Sequence, residues 1–550
     1  MDKKFLDSLK EKFEGDIDTS EKTLTTYSRD ASLFEVRPQV VIFPRHSKDV
    51  EAAVRFVNEE RKNYPDLSIT ARSAGTDMTG GPLSESIVMD FTRYMNKVKK
   101  VTEEYAVVEP GCFYRDFDKE TRKINRIMPA YTASREICAV GGMVANNSGG
   151  EKSIRYGKVE NYIQELKVVF SDGIEYTVKS LSKSELEEKI KQENFEDSIY
   201  KKLFEIINQN YEEIKKAKPD VSKNSSGYYL WNIFDKETGD FDLCQLIVGS
   251  QGTLGIVTEI TFKLVPTEPY SNILLVFLPS LDHISPLVNE ILPFKPESLE
   301  TFDDKSMILA VRFFLDFIKQ LGFFGALKLG LRFLPETWMI LTGGVPKFIL
   351  IVEFADESEE KVKKDLEVVH EHLKKFGYEM RIAKNSADAE KYWKIRHESF
   401  NLLRKHVQHK RTAPFIDDII VKPEHLPEFI PKIKKLLDEY KLDYTVQGHL
   451  GNGNFHLIPL IDLDSPYSGD MILELSKKVY DLVKEYGGSN SAEHNDGIIR
   501  TPFLEEQFGG NLVKLFEETK RIFDPNNIFN PNKKVHGSFG DIKKWLIKRN

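Results

Sequence analysis

The chain has 550 residues, of which 40% are hydrophobic and 30% charged, and its formal net charge is −8. This composition is typical of a globular protein with more than one hydrophobic core, and the acidic balance argues against a nucleic-acid partner. The three cysteines, Cys112, Cys138 and Cys244, are far apart and form no C-x-x-C pair. This argues against a disulfide framework or a cysteine-ligated iron–sulfur cluster, and it suits a reducing compartment.

The first residues do not resemble a targeting segment. Met1–Leu6 runs into charged residues without an apolar core, and nowhere do 18 uncharged apolar residues follow one another. We therefore expect neither a signal peptide nor a membrane-spanning helix. The expected location is cytoplasmic, with peripheral attachment to the inner face of the membrane left open.

The first half of the chain predicts a mixed α+β domain. Residues 1–35 look helical and polar, and apolar spacing predicts a helix over Asp49–Glu60 with Ser47 as its N-cap. Short β-rich runs predict strands at Val40–Phe43, Leu67–Ala71, Ile87–Phe91, Tyr105–Glu109, Ile163–Ser171, Cys244–Val248 and Ile256–Leu264. The turn-rich run Val265–Pro269 predicts a boundary, so that residues 1–266 form the first domain.

Residues 267–550 predict a second α+β domain, whose C-terminal tail we expect to pack back on the first. The predicted elements are strands at Ile273–Phe277, Phe348–Phe354, Asp443–Gln447 and Phe455–Ile461, and helices at Glu359–Phe376, Leu426–Tyr440 and Asn511–Phe523. Residues 307–345 mix apolar, aromatic and basic side chains. We interpret them as a pair of core helices, with a membrane-surface or partner-docking segment as the alternative.

Three glycine-rich loops lie in the first domain, at Ala71–Gly81, Ala139–Gly150 and Gly249–Gly255. Small residues let backbone N–H groups approach a phosphate closely. None of the loops matches the G-x-G-x-x-G pattern of nicotinamide-binding folds or the P-loop pattern. One such loop alone is more often a plain turn, whereas three in one β-rich domain favour a bound nucleotide cofactor.

The loops resemble the FAD-binding domain of the vanillyl-alcohol-oxidase flavoprotein fold, also called PCMH-type. The matching segments are Arg37-Pro38, Phe43-Pro44, Arg72–Gly81, Val108–Gly111, Gly141–Gly150, Tyr156-Gly157 and Gly249–Glu259. The resemblance implies an α+β FAD-binding domain followed by an α+β substrate domain. It implies FAD contacts at Arg72, Ser73, Ala74, Gly75, Thr76, Asp77, Gly141, Gly142, Ala145, Asn146 and Gly149, and at Ile256 through its backbone. Relatives that attach flavin covalently carry a histidine in the first loop, and this chain has none there, so we expect non-covalent FAD.

Two histidines flank a hairpin signal in the second domain. If Asn452-Gly453 forms a two-residue turn, His449 pairs with His456 across the strands. Opposed residues share a face of the sheet, so the two imidazoles could reach one divalent ion. A third ligand is then needed, and Glu493, followed by His494, could supply it if the backbone turns there.

Gly448–His456 and Glu493-His494 resemble the C-terminal domain of FAD-linked dehydrogenases of the glycolate oxidase and D-lactate dehydrogenase class. The resemblance implies one divalent metal held by His449, His456 and Glu493, and imidazole and carboxylate ligands admit Zn, Mn or Fe. It implies that the site works with three further residues: His494 as the catalytic base, Asn454 against the substrate, and Arg396 on the substrate carboxylate. His406 and His409 are the next candidates for the base.

The chain departs from that class at three points. Asn495 stands where a glycine usually follows Glu-His, so the base could sit differently. No cysteine-rich iron–sulfur domain is present, so electrons are expected to leave to a quinone or to a separate electron-transfer or iron–sulfur protein. Ile416 falls where dicarboxylate-selective relatives place a second cation, which favours a monocarboxylate.

The resemblance thus implies FAD-dependent oxidation of a small D-2-hydroxy acid, such as D-lactate. His494 would take the hydroxyl proton, and a neighbouring cation is expected to lower its pKa. Two rival interpretations are a non-catalytic electron-relay component of a larger complex and an alkyl-glycerone-phosphate-synthase-like transferase.

Overall fold

The computed structural model describes residues 1–305, 346–406 and 410–548. Segment 307–345 and His409 therefore lie outside the described residues. Among the helices that are described, none combines the length and apolarity needed to cross a membrane.

Two sheets build the N-terminal half. The first has four strands, in the spatial order Asp16–Asp18, Val40–Phe43, Ile87–Asp90 and Ile69–Arg72. The second is antiparallel and has six, in the order Phe241–Asp242, Glu175–Leu181, Ile163–Val169, Ile256–Lys263, Tyr105–Val108 and Val98–Val101. A short ladder joins Arg126–Ile127 to Val265–Pro266. The strand Ile69–Arg72 leads directly into the first glycine-rich loop.

Helices cover these two sheets and connect their strands. They span Lys3–Lys12, Glu21–Tyr27, Ser47–Glu60, Tyr114–Arg122, Val140–Asn146, Ser153–Tyr156, Lys183–Lys189, Phe195–Gln209, Tyr211–Ala217 and Cys244–Ile247. The helix Ser47–Glu60 buries Val50, Val54 and Val57 at helical spacing, in a core that contains residues of both sheets.

The third sheet belongs to the C-terminal half. Its strands run in the order Glu379–Ile382, Tyr270–Leu278, Phe348–Asp356, Ser298–Asp303, Asp443–His449, Asn454–Ile461 and Arg411–Thr412, and Ile419–Ile420 also pairs with Asn454–Ile461. The helices of this half span Ile284–Ile291, Glu359–Leu373, Ser386–His406, Leu426–Glu439, Ser468–Glu485, Gly497–Arg500, Leu504–Phe508, Gly510–Phe523 and Phe539–Trp545. The chain end returns to the N-terminal half, where Phe529 pairs with Ile69 and Leu546 with Phe34.

The expected α+β architecture is confirmed, but four local predictions are wrong. Cys244–Val248 is a helix over Cys244–Ile247, because a short buried apolar run fits either element. The helix predicted from Asp49 begins at Ser47 itself, so His46 is its N-cap and makes no side-chain cap bond. Residues 1–35 include the strand Asp16–Asp18 between two helices.

The fourth correction concerns the histidine hairpin. His449 pairs with Asn454 and Gln447 with His456, because Leu450–Asn452 forms a helical turn and Gly453 follows it with φ +75°. The loop therefore has four residues rather than two. Strand side chains alternate with period two, so a register shift of two residues leaves both histidines on one face. Their ring centroids lie 5.1 Å apart.

Candidate active site

One cavity of about 770 Å³ joins the glycine-rich loops to the histidine cluster. Most of the predicted cofactor contacts line it: Arg72, Ser73, Ala74, Gly75, Thr76, Asp77, Gly141, Gly142, Ala145, Asn146 and Gly149. Its other end is lined by His456, Glu493 and His494. Ile256 differs, because its side chain is buried in the hydrophobic core between the lining residues Gly255 and Val257.

Hydrogen bonds to neighbouring backbone groups fix the conformation of the first loop. Arg72 donates to the backbone carbonyls of Tyr27 at 3.1 Å and Arg29 at 2.7 Å. Gly75 has φ +68°, and a Cβ there would meet the Arg72 guanidinium at 2.3 Å. The carboxylate of Asp77 accepts from the backbone N–H groups of Thr79 and Gly81 within its own loop. Arg72 and Asp77 thus shape the loop whose small residues face the cavity.

The second loop begins the helix Val140–Asn146 at the cavity wall. A Cβ on Gly141 would meet the Pro110 carbonyl oxygen at 2.6 Å, whereas one on Gly142 would meet nothing within 4 Å. The N–H groups of Val140 and Gly141 already donate to the carbonyls of Cys112 at 2.9 Å and Pro110 at 2.8 Å, so this loop contributes close approach rather than free donors. Asn146 donates to Asp77 at 2.7 Å and accepts from Gln251 at 3.1 Å, which ties the three loops together. This cradle fits an extended, phosphate-bearing cofactor.

Three imidazoles converge on one carboxylate oxygen at the other end of the cavity, where His456 and His494 line it and His449 is buried and does not. Glu493 Oε1 lies 3.1 Å from His449 Nε2, 3.5 Å from His456 Nε2 and 3.9 Å from His494 Nε2. The backbone turns at Asn495, with φ +73°, as the spacing requires. The backbone N–H groups of Glu493 and His494 both donate to Asp418, at 2.9 and 2.7 Å. These bonds hold the turn that lets two adjacent side chains lie in the same cluster.

Two carboxylates behind the cluster were not predicted from the sequence. Glu300 Oε1 lies 2.7 Å from His449 Nδ1, since Glu300 and His449 are cross-strand partners. Asp417 Oδ1 lies 3.0 Å from His456 Nδ1, and its Oδ2 lies 2.9 Å from His494 Nδ1 along a bent approach. The adjacent acids Asp417 and Asp418, just before a short strand, were the available sequence signal.

This arrangement requires positive charge at its centre. A carboxylate accepts, so Nδ1 of His449 donates to Glu300 and Nδ1 of His456 donates to Asp417, and each of these imidazoles, when neutral, presents an Nε2 lone pair. Those lone pairs face Glu493 Oε1, itself an acceptor. Protons or a divalent cation must therefore lie among them, and the imidazole–carboxylate pairs are the usual support of metal-binding histidines.

The charged forms of these residues are strongly stabilised. Burial opposes ionisation of Glu493, but Lys223 and then His449 hold its pKa well below the usual value. Burial would lower the pKa of His456, but Asp417 and Glu493 raise it to about 10. For His494 burial likewise lowers the pKa, and Asp418 and Asp417 raise it overall. The two aspartates thus raise the pKa of His494, whereas the neighbouring cation expected from the sequence would lower it.

A buried lysine, also not predicted from the sequence, completes the cluster. Lys223 Nζ lies 2.9 Å from Glu493 Oε2 and donates to Asn454 Oδ1 at 2.9 Å. Asn454 in turn donates to Asp418 at 3.2 Å. Asn454 is fully buried and does not line the cavity, so it lies among the groups that hold Lys223 and Glu493 and not where the expected substrate contact requires it.

Arg396 lies on the cavity wall beside the cluster. Its guanidinium lies 3.2 Å from Glu300 Oε2 and donates to Gln447 at 2.8 Å. Ile416, in contrast, is fully buried in the hydrophobic core and does not line the cavity. His406 ends the helix that carries Arg396.

Four side chains, Asp418, His456, Glu493 and His494, place one ligand atom each within 4.8 Å of the others. We favour His449 over Asp418 as a ligand on hydrogen-bonding grounds. The Asp418 carboxylate already accepts from Ser491 at 2.8 Å and from the backbone of Glu493 and His494. The His449 Nε2 atom points instead at Glu493 Oε1.

The comparisons with known proteins agree with this geometry. Residues 38–179 match the FAD binding domain, and residues 267–534 match the FAD linked oxidases, C-terminal domain. The fold and the site thus define a flavoprotein. The chain belongs to the FAD-linked oxidases, as the resemblance of its motifs predicted.

Several curated relatives are 2-hydroxy-acid enzymes. The chain is 27% identical to a D-2-hydroxyglutarate dehydrogenase of Pseudomonas putida over 538 residues, covering 96% of this chain and 51% of that protein. The chain thus spans about half the length of the first such relatives it matches. It is 26% identical to a D-lactate dehydrogenase of Archaeoglobus fulgidus, covering 90% of this chain and 91% of that one. It is 24% identical to the glycolate oxidase subunit GlcD of Bacillus subtilis, covering 94% and 93%.

Solved structures share the fold at low identity. A 4-ethylphenol oxidase from Gulosibacter chungangensis superposes with a TM-score of 0.68 at 17% identity, covering 98% of each chain. p-Cresol methylhydroxylase superposes with a TM-score of 0.67 at 16% identity, covering 97% of each chain. These likenesses confirm the PCMH-type fold.

Proposed function

We propose that this protein oxidises a small D-2-hydroxy acid, such as D-lactate, to the 2-oxo acid, using non-covalently bound FAD and one divalent metal ion. The observation that carries the proposal is the single cavity that joins the glycine-rich cradle to the cluster of His456, Glu493 and His494. Relatives named as D-lactate and D-2-hydroxyglutarate dehydrogenases support this substrate class.

The glycine-rich loops would hold FAD. Ser73–Thr76 offer backbone N–H groups to the pyrophosphate, while Gly142 leaves space beside the ring system. FAD, when bound, supplies the acceptor for a hydride from the carbinol carbon of the substrate.

His449, His456 and Glu493 would hold the metal through two Nε2 atoms and Oε1. Glu300 and Asp417 fix the tautomers of the two imidazoles, and Lys223 occupies the other oxygen of Glu493. A divalent ion, when bound, supplies Lewis-acid stabilisation of negative charge on the substrate oxygens. Imidazole and carboxylate ligands suit Zn, Mn or Fe.

His494 would take the hydroxyl proton at Nε2. The imidazole lines the cavity next to the proposed ligands, and Asp417 faces its Nδ1. The negative charges of Asp417 and Asp418 favour the imidazolium formed by proton transfer. His494 is therefore placed to receive the proton as the hydride leaves.

Arg396 would bind the substrate carboxylate from the cavity wall. Glu300 and Gln447 hold the guanidinium in a fixed orientation, which suits recognition of a planar carboxylate. Ile416 lies in the core and does not line the cavity, so the preference for a monocarboxylate that this position predicted stays a prediction. We further propose that a quinone or a separate electron-transfer protein, not a nicotinamide, accepts the electrons.

Anaerobic mixing with candidate substrates tests the proposal. D-Lactate should bleach the visible absorbance of the bound flavin, while L-lactate, which presents C–H on the other side, should not. D-2-Hydroxyglutarate and glycolate belong in the same series, because they separate a monocarboxylate preference from a dicarboxylate preference. A protein that binds FAD but is bleached by none of these acids would instead be an electron-relay component.

A further inference from the structure

Asp417 is a single buried carboxylate shared by two histidines. Its Oδ1 lies 3.0 Å from His456 Nδ1 and its Oδ2 lies 2.9 Å from His494 Nδ1. The two imidazoles are stacked, with ring centroids 5.1 Å apart and planes 18° from parallel. Asp417 therefore hydrogen-bonds Nδ1 of His456 and lies at ion-pair distance from Nδ1 of His494, along a bent approach that a small rotation of the imidazole would straighten.

The third histidine has a carboxylate of its own. His449 Nδ1 lies 2.7 Å from Glu300 Oε1, and the other oxygen of Glu300 lies 3.2 Å from the Arg396 guanidinium. Support of the three imidazoles is thus divided unequally. Glu300 serves one proposed metal ligand, whereas Asp417 serves one proposed ligand and the proposed base.

The backbone of Asp417 is fixed by a buried arginine. Arg500 donates to the backbone carbonyl of Asp417 and, at 3.0 Å, to that of Asn495, the residue after His494. The same guanidinium therefore ties the aspartate to the loop that carries His494. This connection holds the carboxylate in place before any ligand enters.

We propose that Asp417 is a positioning residue that sets the tautomers of both His456 and His494, so that one carboxylate assembles the metal site and the proton acceptor together. The inference rests on the proposed function. A neutral imidazole has one donor and one acceptor nitrogen, so Nδ1–H facing Asp417 leaves the Nε2 lone pair for the metal or the proton. The substrate hydroxyl proton then moves to His494 Nε2, and Asp417 balances the new positive charge.

The test compares Asp417→Ala with Glu300→Ala as the matched control. Zn²⁺ affinity of the FAD-loaded protein is measured by competition with a chelator, and flavin reduction by D-lactate is then measured at saturating Zn²⁺. Both variants should bind Zn²⁺ about 10- to 100-fold more weakly, because each loses the partner of one ligand histidine. At saturating Zn²⁺ the Glu300 variant, which also loses a contact to Arg396, should need more D-lactate for half-maximal reduction, so its remaining defect should lie in substrate binding. The Asp417 variant should instead reduce flavin at least tenfold more slowly than wild type even at saturating D-lactate.

Asp417→Asn provides an isosteric second variant if the alanine form loses FAD or unfolds. An amide can accept from only one of the two imidazoles, so its reduction rate at saturating Zn²⁺ should also stay low; tautomer reversal of this kind has cost about 10⁴-fold in a serine protease triad. The proposal that Asp417 supports both imidazoles is overturned if the Asp417 variants keep wild-type Zn²⁺ affinity. It is also overturned if they reach the wild-type reduction rate at saturating Zn²⁺. Failure of every D-2-hydroxy acid to reduce the wild-type flavin contradicts the proposed function instead.

Discussion

Lys223 should contribute more to stability than its buried neighbour Lys158. Both side chains are almost wholly shielded from solvent. Lys223 Nζ lies 2.9 Å from Glu493 Oε2, whereas Lys158 donates mainly to Ser225 and to a backbone carbonyl and lies 3.7 Å from Glu160. Burial lowers the pKa of Lys158 to about 8, so its charge is poorly compensated. Lys→Met at the two positions therefore compares the loss of a buried lysine that has a carboxylate partner with the loss of one whose charge is poorly compensated.

The magnitude follows from the distances. Two unit charges 2.9 Å apart attract by about 6 kcal/mol at an effective dielectric constant of about 20, part of which offsets desolvation. Removing one partner of a buried pair costs about 3–5 kcal/mol, because the remaining charge stays buried. Lys223→Met should lower the free energy of unfolding of the metal-free protein by about this amount, and Lys158→Met by only about 1 kcal/mol.

Urea unfolding of FAD-loaded protein in EDTA measures both values. Added Zn²⁺ should stabilise Lys223→Met more than wild type, because a divalent cation neutralises the buried, unpaired charge of Glu493. Equal losses of unfolding free energy in the two variants would refute the assignment of Lys223 as the counter-charge of Glu493.

Three further predictions concern the cofactor, the base and the substrate carboxylate. Acid precipitation should release yellow flavin into the supernatant, because the first loop has no histidine to bind flavin covalently. Burial raises the pKa of the cavity-lining Cys138 thiol to about 11, which disfavours attachment through the thiolate. Colour in the pellet would show a covalent bond. His494→Asn should keep FAD and metal but reduce flavin about 10²–10⁴-fold more slowly in anaerobic stopped-flow, and a parallel loss of metal would make His494 a ligand. Arg396→Gln should lower kcat/KM for D-lactate about 10- to 150-fold, because it removes a charged hydrogen bond worth about 1.5–3 kcal/mol. Lys394→Gln, which also changes a cavity-lining cation, should alter kcat/KM little. Equal effects of the two substitutions would contradict the assignment of Arg396 to the substrate carboxylate.

The sequence predicted the elements better than the contacts between them. Strands such as Val40–Phe43 carry their own hydrophobic pattern, so they are visible locally. The two strands of the histidine hairpin were predicted to pair and do, but their register was wrong by two residues. The helical turn at Leu450–Asn452 gives no strong signal in the sequence. The helix Cys244–Ile247 resembled a strand, because burial on all sides removes periodicity.

The supporting groups of the site were hidden for a different reason. Glu300 reaches His449 across 149 residues, and Lys223 reaches Glu493 across 270. Neither belongs to a local motif, and only the pairing of strands and loops brings them together. Glu493 and His494 were accessible from sequence because the motif itself carries them.

The most direct test of the account is a single-turnover oxidation of D-lactate in the absence of oxygen. One equivalent of D-lactate should yield one equivalent of pyruvate as one equivalent of bound flavin loses its visible absorbance. Deuterium at C2 should slow that absorbance change, because the C–H bond breaks in this step. Pyruvate formation without any change in the flavin, or flavin bleaching without a 2-oxo acid product, would contradict the account.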